Sequence, residues 1–89
     1  MKLDIFAVYD VKAGSYATPF FAPNISHAQR SFAFAANDSN TDVNRYPSDF
    51  SLWHLGTFNA ETAEFDLVPP FQLCLAVALL NRDEVSDNV

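Results

Sequence analysis

His27, His54 and Cys74 are the only imidazole and thiol side chains in this chain of 89 residues, and so its only soft or borderline metal ligands. A zinc site needs three or four such groups converging, usually in pairs at short spacing. No two of the three are close in sequence, so no metal site is expected. Nucleophilic catalysis needs a Ser or Cys beside a base and an orienting acid. Ser26, Ser31 and Ser48 lie next to cap or turn residues, where hydroxyls bond the backbone instead. Cys74 falls in the apolar run Phe71 to Leu80, where a thiol holds its proton and is inert. Glu64 and Asp66 alternate on a predicted strand and read as one solubilising face. Neither Gly14 nor Gly56 belongs to a phosphate-cradling loop. The chain is therefore read as a non-enzyme without a cofactor.

Binding chemistry is the remaining class. Five basic side chains (Lys2, Lys12, Arg30, Arg45, Arg82) face eleven acidic ones, for a formal net charge of −6. Tight, non-specific binding to nucleic acid draws most of its affinity from counterions displaced by a clustered cationic surface. These cations are few and scattered, which argues against autonomous DNA coating and favours contact with basic protein surfaces. Aromatic side chains can still stack on single-stranded bases, at about 1–3 kcal/mol per base. Tyr9, Tyr16, Tyr46 and Trp53 are the candidates, and Trp53 reads equally as a core residue or interface anchor. Arg30 is the most prominent single charge. Its ordinary reading is a solvated helix residue, and its functional reading an anchor for phosphate or an acidic partner, with Arg45 and Lys12 beside it. The candidate contacts are Lys12, Arg30, Arg45 and Trp53.

The elements that would position these groups follow from patterning. With 49% apolar residues and nine Phe, the chain can form one small packed domain over residues 1–80, followed by an acidic tail over 81–89. Leu3 to Tyr9 reads as a strand near the sheet centre, the turn Asp10 to Ser15 follows, and Tyr16 to Phe21 returns as a second strand with Pro19 at an edge or bulge. Ser26 and Gln29 have capping-box spacing, with Asn24 as the competing cap. Ala28, Phe32 and Ala35 recur at helical spacing, Phe34 and Ala36 broaden the stripe, and Asn37 to Asn40 stops the helix. Residues 38–49 read as a long loop. Phe50 to Phe58 and Ala63 to Val68 form a hairpin about Asn59 to Thr62, with Phe58 and Phe65 in the buried set. After Pro69-Pro70 an alternating apolar segment, residues 71–80, reads as a further strand, although Leu73, Val77 and Leu80 also align on a helix. The expected fold is α+β: a small antiparallel sheet of about four to five strands packed against one α-helix. A domain this small with open strand edges gains by pairing them, so a homo-oligomer is expected, a dimer first. Ten apolar residues are too few to cross a bilayer as a helix, so no membrane contact is expected.

The order of short motifs is informative in its own right. Tyr9-Asp10 precedes Lys12-Ala13, then Pro19-Phe20-Phe21-Ala22-Pro23-Asn24, Ala28-Gln29-Arg30-Ser31-Phe32, Asn37-Asp38, Pro47-Ser48-Asp49-Phe50 and Leu52-Trp53-His54-Leu55-Gly56-Thr57-Phe58. Over roughly residues 6 to 67 this string resembles the small nonstructural protein of gokushoviruses, single-stranded DNA phages of the microvirus group. Those proteins are regarded as counterparts of the packaging protein C of phi X-type phages. The resemblance implies a noncatalytic role in the switch to single-stranded genome synthesis and DNA packaging. It also implies action with the replication initiator and procapsid proteins, in the host bacterial cytoplasm. The alternatives are a direct single-stranded DNA-binding protein, with weak or indirect contact, and a minor structural or interaction protein of the virion. Related phage proteins usually carry Asp and Gly where this chain has Asn59 and Ala63. If the second position needs a positive φ, alanine there costs on the order of 1 kcal/mol.

Overall fold

The computed structural model describes residues 1–81, so the tail expected over 81–89 lies, apart from Asn81, outside the described residues. Five antiparallel strands make one sheet: β1 (Lys2–Asp10), β2 (Ser15–Tyr16), β3 (Phe20–Ala22), β4 (Phe50–Asn59) and β5 (Glu64–Leu75). Their order is β2-β1-β4-β5, and β3 shares with β2 the edge of β1 not taken by β4. The helix α1 (Ile25–Ala36) and the short α2 (Asp42–Arg45) lie on one face. The expected α+β architecture is what the chain adopts.

Two turns are built by one device. In the first, the Asp10 carboxylate accepts the Lys12 N–H at 2.9 Å, and Gly14 N–H donates to the Asp10 carbonyl at 2.8 Å, with Gly14 at φ +69°. In the second, the Asn59 side chain accepts the Glu61 N–H at 2.9 Å, and Ala63 N–H donates to the Asn59 carbonyl at 2.7 Å, with Ala63 at φ +64°. The short polar side chain holds the loop, and the fifth residue must turn left-handed. Gly14 does so without strain, whereas the Ala63 Cβ is pressed toward the following carbonyl. Ala63→Gly should therefore stabilise the fold, by about 0.5–1 kcal/mol after the greater chain entropy of glycine is subtracted. A urea midpoint that rises at unchanged slope is the expected readout.

Helix α1 starts at Asn24, whose extended backbone (φ −162°) and side chain place Oδ1 2.7 Å from the His27 N–H. The capping box expected from Ser26 and Gln29 does not form, because the helix begins two residues earlier and Asn24 takes the capping position. Ala28, Phe32 and Ala36 are buried and meet Phe6, Ala22, Leu52 and Ala76 in the core, whereas Ala35 of the predicted stripe is only half-buried. Phe34 does not broaden that stripe. Two residues from Phe32 is about 200° around a helix, and Phe34 is 75% exposed.

The expected loop 38–49 is partly ordered into α2 and a 3-10 turn, Pro47–Asp49. Its side chains occupy the carbonyls left over at the end of α1: Thr41 Oγ1 donates to Ala35 at 2.6 Å and Asn44 Nδ2 to Ala36 at 2.8 Å. Those local bonds, together with Val43 packed against the core, order a largely polar segment.

Two strand boundaries also differ from expectation. The predicted second strand is split: Ser15–Tyr16 and Phe20–Ala22 pair with β1, Ala17 keeps one bond, its N–H donating to the Val8 carbonyl at 2.8 Å, and the chain then leaves the ladder up to Pro19. At the other edge, Pro69-Pro70 does not divide two strands. β5 runs through it to Leu75, and the expected strand 71–80 ends there in a 3-10 turn, Ala76–Leu79. Register explains the tolerance: His54 pairs with Phe71 and Gly56 with Leu67, so Val68, Pro69 and Pro70 stand opposite Leu55 alone. A bulge at an edge strand accommodates prolines that a central ladder would reject. Asn37 ties the final turn to α1, its Nδ2 donating to Leu79 O at 3.0 Å and its Oδ1 accepting the Asn81 N–H at 2.8 Å.

Candidate functional site

The sheet has two unlike faces. Alternation along β1 and its register with β4 put Phe6, Val8, Leu52 and His54 beneath the helices. The intervening residues Tyr9, Tyr16 and Trp53 point the other way and form one aromatic group. Tyr9 and Tyr16 are cross-strand partners with ring centroids 4.7 Å apart, and Trp53 stands edge-on to Tyr16 at 5.7 Å and to Tyr9 at 6.3 Å. Trp53 is oriented by its indole N–H, which donates to Ser51 Oγ at 2.8 Å. Ser51 is buried, so that bond also satisfies a hydroxyl withdrawn from water. Further along this face Phe58 lies 4.9 Å from Phe65 and 5.5 Å from Phe21. The expectation that Phe58 and Phe65 are buried is corrected: they pack on one another, but Phe58 is half-buried and Phe65 is 58% exposed. β5 is the sheet edge, so among the described residues no strand flanks Phe65 on its outer side.

The basic candidates are placed elsewhere. Lys12 lies in the first turn and lines a cleft of about 490 Å³ with Asp10, Asp42, Tyr46, Asp49 and Phe50. Arg45 Nη1 pairs with Asp42 at 3.0 Å across an exposed turn of α2. Lys12 and Arg45 therefore share a corner with three carboxylates, and the local balance there is acidic. Arg30 stands on the solvent side of α1 with His27 and Phe34, at helical spacings of three and four residues. Trp53 is on the opposite side of the sheet. The four candidate contacts do not form one surface, and Trp53 joins Tyr9 and Tyr16 instead. Phe34 was missed as a contact candidate, although a helical wheel drawn from Phe32 would have shown it pointing outward.

Two polar groups reach into the core side. His54 Nε2 hydrogen-bonds Asp4 Oδ1 at 3.0 Å, with its ring 5.4 Å from Phe6. Cys74 packs against the core cluster, and burial raises its thiol above the ordinary value of 9.0, partly opposed by a hydrogen bond from Gln29. The folded chain thus holds the thiol proton to higher pH than the unfolded chain does. The stabilisation is complete below about pH 9 and is lost as pH rises through the folded value. Cys74→Ser should flatten the alkaline limb of a stability–pH curve. Alkylation of native Cys74 by iodoacetamide should be slower than in urea.

Residues 3–79 match the family described as Phage ORF5 protein. The chain belongs to that family. No curated protein and no solved structure matches it. The Phage ORF5 match spans all five strands and both α-helices, and includes Lys12, Arg30, Arg45 and Trp53. Among the described residues no three or more His, Cys, Asp or Glu are grouped to hold a metal ion. No helix among them is long and apolar enough to cross a membrane.

Proposed function

We propose that this phage protein is a noncatalytic accessory factor of a gokushovirus-like phage. It acts through protein contacts in the switch to single-stranded genome synthesis and DNA packaging, as counterpart of the phi X-type packaging protein C. Membership of the phage family over residues 3–79 supports the phage part of this reading, and the ordered motifs that resemble the gokushovirus protein supply the rest. The placement of charge supports a protein-mediated role: Lys12 and Arg45 sit among Asp10, Asp42 and Asp49, where a phosphate backbone would be repelled. The solvent side of α1 offers the contact, with Arg30 and the exposed Phe34 as a charged and an apolar anchor four residues apart. The partners are the replication initiator and the procapsid proteins of the phage.

Affinity purification of the tagged chain from infected cells tests this. Recovery of initiator or procapsid protein after nuclease treatment, weakened by Arg30→Ala and Phe34→Ala, is the expected result. Recovery of nucleic acid alone would replace this reading with direct single-stranded DNA binding through Tyr9, Tyr16 and Trp53. The chain appearing in the mass spectrum of purified particles would replace it with a virion component.

A further inference from the structure

Charge is segregated between the two faces of the sheet. Every charged residue of the strands (Lys2, Asp4, Asp10, Glu64 and Asp66) falls by register on the face that carries the helices. The paired positions on the other face are uncharged: Leu3, Ile5, Ala7 and Tyr9 of β1 lie beside Tyr16 and Phe21 on one flank, with Ile5 and Ala7 already buried in the single chain so that the flanking side chains form the outer surface. On the other flank they lie beside Trp53 and Phe58, and then Phe65 and Leu67. Leu67 is 67% exposed and Phe65 58%.

We propose that this uncharged aromatic face is where a second copy of the chain docks, sheet against sheet. The occupant follows from charge. At −6 per chain, a second copy repeats every carboxylate, and a two-fold contact brings each patch against itself. A face without charge is the surface on which two like-charged copies meet without repulsion. The same absence of cations gives single-stranded DNA no phosphate contact there.

Size is adequate. The ten residues of β4, at about 3.3 Å each, and four strands about 4.8 Å apart give a face on the order of 600 Å² in projection. Its side-chain relief brings the accessible area close to the roughly 800 Å² per partner of a standard interface. Two such faces stacked about 10 Å apart make a β-sandwich core.

The edge pairing expected from sequence is the poorer route to a dimer. Pro69 and Pro70 interrupt the donors of β5 midway, and Glu64 and Asp66 would be repeated across a β5–β5 ladder. Face-to-face docking is independent of the proposed role in genome synthesis, and its test uses purified chain alone.

Light scattering over a concentration series should give a mass twice the 9.9 kDa of the chain. Leu67→Asp and Phe65→Asp should each weaken the dimer by at least about 30-fold, with circular dichroism spectra unchanged because both side chains are exposed. Phe34→Asp, beyond the helix, should leave the dimer intact. A monomer at every concentration overturns the proposal, as does a dimer indifferent to Leu67→Asp. Mass that grows without limit also overturns it, in favour of edge pairing. A monomer whose Trp53 fluorescence is quenched by oligo(dT) assigns the face to DNA instead.

Discussion

Replacing Gly56 by alanine is expected to cost about 3–5 kcal/mol, from overpacking and backbone strain together. Gly56 sits at φ +146°, in the bulged part of β4 where the pairing of both neighbours shifts. A Cβ built there would lie 2.3 Å from the Asp66 carbonyl oxygen and 2.8 Å from the Leu67 Cα, both backbone atoms of β5. No rotamer relieves a clash with backbone, so β5 must move away or the ladder must break. Gly14→Ala is the control. Gly14 also has a positive φ, +69°, but nothing lies within 4 Å of its added Cβ, so only the left-handed strain applies, a net cost of about 0.5–1 kcal/mol once the chain entropy of glycine is counted. Equal losses in a denaturant titration of the two variants would show that the close approach of β5 does not matter.

Phe6→Ala is expected to cost about 3–5 kcal/mol. Phe6 is wholly buried at the centre of the core, its ring 5.6 Å from Phe20 and 5.4 Å from His54. Removing the ring leaves a cavity under α1 that a small domain cannot collapse without losing the register of β1. Total stability for a chain of this size is about 5–13 kcal/mol, so the variant should be substantially unfolded at modest urea concentration. Phe34→Ala, by contrast, should change the midpoint little, because Phe34 touches water on most of its surface. A large loss for Phe34→Ala would contradict the outward placement of that side chain.

Much of the local structure was legible in the residues. The helix and its Asn37 stop, the central position of β1 and the hairpin about Asn59 follow from period and turn chemistry. The left-handed residue at 63 was open in the sequence: the resemblance, whose members carry Gly there, raises it as a condition, and the structure meets that condition at φ +64°. The placement of Cys74 against the core was not readable from the alternation of 71–80, because a register shift between Leu52 and Trp53 sets its face. The differences have separate causes. Asn24 prevailed over Ser26 because the helix starts where its first N–H groups find an acceptor, and several polar residues there compete within a few tenths of a kcal/mol. Phe34 was drawn toward the core by composition rather than by angle. Pro69-Pro70 was read as a break because a local rule cannot know that the strand lies at an edge and bulges.

The chain's sequence by itself determined that a small α+β domain would form, where its helix and turns would lie, and that its charge would be acidic. It also carried the ordered motifs that mark the phage family. Only the tertiary structure decided which side chains share a surface. Each bulge shifts the pairing by a residue or more, and in a sheet of period two that shift resets which face every later side chain occupies. Those shifts are set by contacts between strands distant in sequence. They placed Trp53 with Tyr9 and Tyr16, separated Trp53 from Arg30, and drew every strand charge to one face and the aromatic rings of the other into an uncharged surface.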